Sequence, residues 1–473
     1  MTAPVPADVL SRLRAVLGPD GWSEDPARLL PKLVEWRDRW RGQTPMLLLP
    51  RTTEDVSAIV GICAQSRTPI VPQGGNTGLV GGGVPDGSGT QVLLSLSRMN
   101  RVREIDRTNL TLTAEAGCVL QTVQQAADDA GLLFPLSLAA EGSCTVGGTL
   151  ATNAGGTQVL RYGNARALCL GLEAVTASGD VWHGLAGLRK DNTGYDLRDL
   201  LIGSEGTLAI LTAATLTLHP RPAATMTALA ACASLEACVA LLAAAQQQLG
   251  PGLTGFEVMN AFSLALVARH FPRLHQPLPS VPWTVLVELS DSEGEAHARS
   301  RFEALLADAL EAGTIGDAAV AESVAQSRAM WHLRESIPLA QSEEGLNIKH
   351  DISLPVSRIP AFCAATGAAL AARWPGVRLV NFGHLGDGNL HYNVQAPAGA
   401  DAAAFLGSEE PAVNKVVFDA VVANGGSISA EHGIGELKRD ELALRKDPTA
   451  LAMMRAVKRA LDPQGLLNPG RVL

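Results

Sequence analysis

Glycine pairs set narrow limits on how the first half of this chain can fold. Consecutive glycines occur in VPQGGNTGLVGGGVP (71–85) and PLSLAAEGSCTVGGTLATNAGG (135–156), and GSEGTLAIL (203–211) is a third glycine-rich stretch. Neither long segment has the G-x-G-x-x-G spacing that opens a helix in a Rossmann βαβ unit. Because glycine lacks a Cβ, such loops expose backbone N–H groups that can bind a pyrophosphate. A single loop of this kind could be a tight turn, but three in one domain favour a bound dinucleotide.

The overall composition argues against some ligands and compartments. The net charge of −9 and the pI near 5.6 disfavour a nucleic-acid-binding surface, and no Lys/Arg-rich run is present. The seven cysteines are scattered, without a Cys-x-x-Cys pair, which indicates reduced thiols. The N-terminus MTAPVPADVLSRLRAVL lacks the basic-then-apolar pattern of a signal peptide, and no apolar run is long enough to span a bilayer. We therefore expect a cytoplasmic protein without a transmembrane segment.

The length and the order of the patterns predict the domain organisation. A chain of 473 residues is expected to form two or three domains. Strand-like and helical runs alternate up to HPRPAA (219–224), which is a Pro-rich break. A smaller α+β pattern follows, and the C-terminal end is helical. We expect one domain over 1–220, a second over 221–425 and a C-terminal segment over 426–473.

Two histidines lie seven residues apart in NFGHLGDGNLHYNV (381–394). If Asp387 and Gly388 form a two-residue hairpin turn, which Asp-Gly favours, His384 lies directly across from His391. Directly opposed residues have Cβ atoms about 5 Å apart, and Asn393 shares their face. Two neutral imidazoles at that separation can bind one metal ion. The alternative is that both histidines are satisfied by ordinary hydrogen bonds.

A third metal ligand is available in SISAEHGIG (427–435). There, Glu431 follows a short strand-like run and precedes glycines. Two histidines and one carboxylate, with one position left open, suit a catalytic Zn²⁺ site. Mn²⁺ and Co²⁺ accept the same ligands, so the pattern predicts a divalent metal without fixing its identity.

Eight motifs resemble one known family. QGGNTGLVGG, GSCTVGGTLATNAGG, RYGNARALCLGLEAV, RKDNTGYDL and GSEGTLAIL are followed, in the same order, by GHLGDGNLH, SAEHGIG and LDPQGLLNPG. Together they resemble the FAD-dependent D-2-hydroxyacid dehydrogenases of the vanillyl-alcohol-oxidase/PCMH superfamily, from about residue 45 to the end. RKDNTGYDL and KRDEL favour the D-2-hydroxyglutarate dehydrogenase branch. The resemblance implies an α+β fold, with a PCMH-type FAD-binding domain of two α+β subdomains, an α+β substrate-binding cap domain and a helical C-terminal segment that returns to the FAD domain.

The resemblance also implies which residues bind FAD. The loops 72–79 and 142–156 would wrap the cofactor, and Ile210 and Asn468 would touch the flavin. QGGNTG has no histidine for a covalent link, so the FAD is expected to be non-covalent, and Cys144 is expected to be a buried, inert thiol. The expected FAD-binding residues are Pro72, Gly74, Gly75, Asn76, Thr77, Gly78, Leu79, Pro135, Gly142, Ser143, Cys144, Gly147, Gly148, Thr152, Asn153, Gly155, Gly156, Tyr162, Gly163, Ile210 and Asn468.

For the substrate side, the resemblance assigns His384, His391 and Glu431 to the metal and His432 to the catalytic base. It assigns Arg334, Lys349 and Asn393 to the substrate. By pattern alone, Lys349 lies on the polar face of a strand over 346–353 and Arg334 near the end of a helical run, and both would be typical surface cations.

One residue departs from the D-2-hydroxyglutarate pattern. Pro338 stands where that branch has a hydroxyl residue that supports the distal carboxylate. D-Lactate or another D-2-hydroxy monocarboxylate therefore stays open as the substrate.

The expected reaction is oxidation of a D-2-hydroxy acid to the 2-oxo acid, with hydride transfer from C2 to FAD. An electron acceptor is expected to follow, either an electron-transfer flavoprotein or a quinone. An oxidase that uses O₂ and a non-catalytic flavin- or metal-binding protein are the alternatives. A homodimer is compatible with the sequence.

Overall fold

The structure is a computed structural model that describes residues 4–473. It divides into two compact units. The first unit comprises the chain up to Gly155, Asn164–Pro220 and Glu431–Leu473, and the second comprises Gly156–Gly163 and Arg221–Ala430.

The helices are, in chain order, α1 (Ala7–Leu17), α2 (Pro26–Leu29), α3 (Thr53–Ser66), α4 (Leu120–Asp129), α5 (Val146–Ala151), α6 (Val159–Tyr162), α7 (Leu197–Leu201), α8 (Leu235–Leu249), α9 (Ala261–His270), α10 (Glu295–Glu311), α11 (Val324–Glu335), α12 (Ile337–Glu344), α13 (Ile359–Arg373), α14 (Ala402–Ala423), α15 (Arg439–Arg445) and α16 (Pro448–Leu461). The strands are β1 (Trp22–Ser23), β2 (Leu47–Leu48), β3 (Ile70–Gln73), β4 (Val92–Ser95), β5 (Val102–Asp106), β6 (Thr111–Glu115), β7 (Leu132–Leu133), β8 (Cys169–Val175), β9 (Val181–Gly184), β10 (Ile210–Thr217), β11 (His219–Pro220), β12 (Ala224–Cys232), β13 (Leu253–Asn260), β14 (Trp283–Asp291), β15 (Asp317–Val320), β16 (Asn347–Ile348), β17 (Asp351–Ser353), β18 (Arg378–His384) and β19 (Asn389–Gln395).

The first unit contains two larger sheets. A four-stranded sheet has the order β1-β2-β4-β3, with β2, β4 and β3 parallel. A five-stranded antiparallel sheet has the order β5-β6-β10-β8-β9. Helix α3 begins with a capping box between Thr52 and Asp55, and its apolar side packs on the four-stranded sheet. The first glycine loop leaves this sheet directly after β3.

The second unit is one eight-stranded sheet between two layers of helices. The order is β15-β12-β14-β13-β18-β19-β16, and β17 also pairs with β19. Side chains alternate along each strand. In β19, Leu390, Tyr392 and Val394 join the core under α8, α10, α13 and α14. The other face packs on α9, α11 and α12, and by the same alternation it carries His391 and Asn393.

The boundary at Pro220/Arg221 lies where the Pro-rich break is, but two other boundaries differ from the expected ones. Residues up to Ala430 stay with the second unit because Ser427 pairs with Ser353 and the Ala430 N–H donates to the Asp351 carbonyl at 3.3 Å. Residues 156–163 also belong to the second unit, since Leu160 packs against its core.

Candidate active site

The first unit contains a cavity of about 330 Å³. Glycine-rich loops form much of its wall, and its lining residues within the described chain include no lysine or arginine. An anionic cofactor bound there would therefore depend on backbone N–H groups. The expected FAD-binding residues that line it are Pro72, Gly74, Gly75, Asn76, Thr77, Gly78, Leu79, Cys144, Gly147, Gly148, Thr152, Gly155 and Ile210.

The other expected FAD-binding residues are not on the cavity wall. Asn468 is buried, and its Nδ2 donates to the carbonyls of Gly82 and Glu205, so it holds the loops that form the wall. Five of these expected FAD-binding residues lie in the first unit but not on the cavity wall: Pro135, Gly142, Ser143, Asn153 and Asn468. Those that belong to the second unit are Gly156, Tyr162 and Gly163.

Close approach of two backbones explains the first glycine pair. A Cβ at Gly75 would lie 2.0 Å from the Ser143 carbonyl oxygen, and one at Gly74 would lie 2.4 Å from Thr145 Oγ1. Any larger residue would push the two loops apart and open the cavity. Burial raises the pKa of the Cys144 thiol to about 12, which leaves it protonated and a poor nucleophile.

Glu431 and His432 line the same cavity as the glycine loops. The backbone just after them is held by Glu205, whose carboxylate accepts from the N–H groups of Ile434 and Gly435, both at 2.7 Å. Burial raises the pKa of Glu205, and these two hydrogen bonds oppose the shift. Glu205 therefore fixes the segment that carries His432.

In the second unit, His384 and His391 lie on one face of the sheet, with ring centroids 5.7 Å apart. The predicted register is wrong. Phe382, not His384, pairs with His391, because the turn contains a 3₁₀ turn at Leu385–Asp387 before Gly388, which has a φ of 84°. A shift of two residues keeps both histidines on the same face, so they are diagonal neighbours.

A buried carboxylate connects His384 with Arg334. Glu257 pairs directly with His384 between β13 and β18, and its Oε1 lies 2.6 Å from His384 Nδ1. Its Oε2 lies 2.8 Å from both Nε and Nη2 of Arg334. Although burial acts to raise it, the charges of His384 and Arg334 lower the pKa of Glu257 to about 2. Glu257 is therefore ionised.

Arg334 is a buried residue rather than a surface cation. Its guanidinium stacks over the Phe382 ring at 4.7 Å, and its side chain is only 7% exposed. Two of its three guanidinium nitrogens, Nε and Nη2, face Glu257, and the third is Nη1.

The predicted strand over 346–353 is interrupted at Lys349 and His350. The His350 N–H donates to the Asn393 side chain at 3.0 Å instead of continuing the ladder, and the same register resumes at Asp351. Lys349 is half-buried. Alternation places it on the sheet face of His391, because its neighbour Ile348 packs into the opposite core.

Polar side chains surround His391 on this face. Asp351 pairs with His391; its Oδ1 lies 4.0 Å from His391 Nδ1 and accepts from Asn389 Nδ2 at 3.0 Å. Asn393 Nδ2 donates to Gln341 Oε1 at 3.0 Å. Glu205, Glu257 and Asp351 were not predicted as site residues. The only sequence signals were one glutamate in GSEGTLAIL and isolated acids in two strand-like runs.

Comparison with known proteins places the chain in a family. The family model for the FAD binding domain matches residues 44–184, and that for the C-terminal domain of FAD linked oxidases matches 221–472. The chain is 39% identical to D-2-hydroxyglutarate dehydrogenase of Arabidopsis thaliana, over 98% of this chain and 81% of that protein. It is 38% identical to D-2-hydroxyglutarate dehydrogenase of Xanthomonas citri, over 95% and 93%. A relative from Schizosaccharomyces pombe whose name refers to D-lactate dehydrogenase is 35% identical, over 96% and 88%.

The expectation of a cytoplasmic protein is wrong. The relatives from Arabidopsis thaliana, Bos taurus and Rattus norvegicus are named as mitochondrial proteins. Reduced cysteines indicate a reducing compartment but do not distinguish one such compartment from another. Within residues 4–473, no helix combines the length and apolarity needed to cross a membrane.

The fold agrees with the sequence relationship. The solved structure of p-cresol methylhydroxylase with substrate bound superposes with a TM-score of 0.78 at 17% identity, covering 98% of this chain and 96% of that one. The α+β prediction with a PCMH-type FAD-binding domain is thereby confirmed. This chain belongs to the FAD-dependent D-2-hydroxyacid dehydrogenases, oxidoreductases of the vanillyl-alcohol-oxidase/PCMH superfamily.

Proposed function

We propose that the chain is a FAD- and metal-dependent dehydrogenase that oxidises a D-2-hydroxy acid, with D-2-hydroxyglutarate as the first candidate, to the 2-oxo acid. The observation that carries the proposal is that Glu431 and His432 line the same cavity as the glycine loops. A carboxylate and an imidazole thus accompany the loops expected to bind the flavin. The names of the relatives supply the substrate.

The proposed metal ligands are His384, His391 and Glu431. The Nδ1 of His384 lies 2.6 Å from Glu257 Oε1, and metal-binding histidines ordinarily pair one ring nitrogen with a carboxylate in this way and bind the metal through the other. Glu431 follows Ala430 in the chain, and the Ala430 N–H donates to Asp351, the strand partner of His391. Two imidazoles and one carboxylate suit Zn²⁺, with Mn²⁺ and Co²⁺ as alternatives.

In this proposal, His432 removes the proton of the substrate hydroxyl at a ring nitrogen. Lys349, Asn393 and the remaining nitrogen of Arg334 bind carboxylate oxygens, since cations and amide N–H groups are the donors that carboxylates need. Glu205 fixes the backbone after His432 and so orients the base. When bound, the metal acts as a Lewis acid toward the hydroxyl oxygen. FAD, when bound, supplies the hydride acceptor.

A D-2-hydroxy monocarboxylate such as D-lactate is the second candidate substrate. Pro338 lies in the first turn of α12 and offers neither a hydroxyl nor an N–H to a distal carboxylate. The two candidates differ only at that distal group, so the proposed chemistry at C2 is the same for both.

The test is anaerobic mixing of the purified yellow protein with D-2-hydroxyglutarate, D-lactate, D-malate and their L forms. We expect a D form to bleach the flavin, and the fastest substrate identifies the distal group. His432→Gln should slow bleaching by about 10²–10⁴-fold without loss of flavin, whereas His183→Gln, at an exposed side chain, should not. If none of these 2-hydroxy acids bleaches the flavin, the result contradicts the proposed reaction and favours the alternative of a non-catalytic flavin-binding protein.

Removal of the metal tests the second half of the proposal. Chelation should abolish bleaching and leave the flavin bound, and added Zn²⁺, Mn²⁺ or Co²⁺ should restore it. Full activity after exhaustive chelation would refute the metal-dependent step. We further propose that an electron-transfer flavoprotein or a quinone reoxidises the flavin, which stopped-flow mixing of the reduced protein with each acceptor and with O₂ would test.

A further inference from the structure

We propose that Glu257 is a positioning residue: it orients His384 for metal binding and holds Arg334 beside it. The inference rests on the proposed metal at His384, and it assigns a role to a carboxylate that neither touches the substrate in the proposed mechanism nor binds the metal.

The geometry around Glu257 leaves His384 one orientation. Glu257 is 1% exposed, and its two oxygens face different partners, with His384 Nδ1 on Oε1 and the Arg334 guanidinium on Oε2. The ionised carboxylate accepts a hydrogen bond from Nδ1–H, so in the neutral imidazole Nε2 carries the lone pair that a metal needs. Phe382 holds Arg334 from the other side through the stacked guanidinium. The imidazole, the carboxylate and the guanidinium therefore form one packed cluster.

The charges of this cluster explain why a carboxylate is needed and a neutral acceptor is not enough. Without Glu257, the buried positive charge of Arg334 would lack its partner in the structure and would lie close to a divalent cation. An uncompensated buried charge is strongly unfavourable. Glu257→Gln keeps the volume and one acceptor oxygen but removes the charge, whereas Glu257→Asp keeps the charge and retracts it by one methylene.

A second buried glutamate provides a matched control. Glu288 lies on the adjacent strand β14, on the same sheet face as Glu257, because Glu257 pairs with Leu286, two residues away. Its carboxylate accepts from Trp331 Nε1 at 2.6 Å and from Thr254 Oγ1 at 3.1 Å. Trp331 and Arg334 are both on α11. Glu288 thus shares burial, face and helix contact with Glu257, and it contacts a tryptophan where Glu257 contacts His384.

The experiment measures zinc affinity of the metal-stripped, flavin-loaded full chain by competition with a chelating dye. We expect Glu257→Gln to weaken zinc binding about 10–100-fold, as loss of such partners does elsewhere. Glu257→Asp should recover part of the loss, and Glu288→Gln should bind zinc as the wild type does. Flavin content should be equal in all variants. The melting temperature of each metal-free variant separates a loss of zinc affinity from a loss of folding.

Each result of this experiment either supports or refutes the role of Glu257. If His384→Ala loses zinc while Glu257→Gln keeps wild-type affinity, Glu257 does not position the ligand and the inference is refuted alone. If Glu288→Gln weakens zinc binding as much as Glu257→Gln, the effect belongs to any buried carboxyl group on this sheet face, and the inference is also refuted. If the wild type binds no zinc, or His384→Ala binds it equally well, the proposed metal site itself is wrong and the inference falls with it. Should Glu257→Gln fail to fold, wild-type affinity in Glu257→Asp refutes the inference, and a weaker affinity supports it.

Discussion

Substitution of Glu205 by glutamine should lower both the stability of the first unit and the rate of catalysis. The carboxylate accepts from two backbone N–H groups, Ile434 and Gly435, each at 2.7 Å. In Glu205→Gln, the amide nitrogen cannot accept, so one N–H loses its partner, and the other hydrogen bond becomes a weaker neutral one. A buried donor without a partner costs about 1–3 kcal/mol, and loss of charge assistance roughly halves the remaining bond. Because burial raises the pKa of Glu205, the carboxylate already carries an unfavourable contribution. We therefore expect a net loss of about 2 kcal/mol in the free energy of unfolding.

The same change should slow catalysis because residues 433–435 follow the proposed base His432 directly. A displacement of about 1 Å at a catalytic group can cost about 10²-fold in rate, so kcat should fall by about 10–100-fold. The assay combines anaerobic flavin reduction with denaturant unfolding followed by flavin release. Asp462→Asn is the control, since buried Asp462 likewise accepts from two backbone N–H groups, of Leu466 and Leu467, in addition to Lys458 Nζ at 2.6 Å, and does not line the cavity.

The control should lose stability and keep a kcat near the wild-type value. If Glu205→Gln lost the expected stability but kept its kcat, Glu205 would not position His432. If neither property changed, the two hydrogen bonds would contribute no net free energy, and the reasoning from their geometry would be refuted.

Three further outcomes follow from the structure. Gly75→Ala should release flavin because the new Cβ would lie 2.0 Å from a carbonyl oxygen. Gly61→Ala is the control and should retain flavin, because its new Cβ would have no atom within 4 Å. Flavin absorbance after gel filtration measures both variants. Burial acts to raise the pKa of Glu344, but hydrogen bonds from a histidine and two arginines lower it to about 2. The ionised Glu344 carboxylate therefore contributes on the order of 2 kcal/mol to the free energy of unfolding after solvent screening; this stabilisation is present above pH ~4.5 and is lost as the pH falls toward ~2. Unfolding of wild type and Glu344→Gln at pH 7 and pH 3 should show a difference in stability that is smaller at pH 3. His391→Ala should retain flavin but lose bound zinc, measured by metal analysis, and undiminished zinc content would contradict its assignment as a ligand.

Some of the site could be predicted because its information is local. The Asp387-Gly388 turn and strand alternation predicted that His384 and His391 share a face, and this held even though the register was wrong by two residues, since side-chain direction repeats every second residue. The register itself could not be predicted, because the 3₁₀ turn before Gly388 leaves no signature distinct from a tight hairpin.

The partners of these residues could not be predicted, because they are distant in the sequence. Glu257 is 127 positions from His384, and Glu205 is 229 positions from Ile434. Each is one acid among many in the chain until the sheets form. The pattern around Arg334 allowed a surface cation, and its burial could not be predicted for the same reason, since Arg334 is on α11 and its carboxylate partner Glu257 is on β13.

Residues 156–163 belong to the second unit although the stretches on both sides of them belong to the first, and this matters for the design of fragments of the protein. The polypeptide passes between the two units at four points, so no single cut yields either unit whole. A recombinant fragment that starts at Arg221 would leave out Leu160, which packs against the core of the second unit. An alanine Cβ at Gly386 would lie 2.9 Å from Leu160 Cδ2, so this side chain rests on the turn between His384 and His391. Such a fragment would expose an apolar gap beside the two histidines proposed to bind the metal, and a zinc affinity measured on it would not represent that of the full chain. A fragment that carries residues 156–163 on a linker ahead of Arg221 would restore the missing side chain.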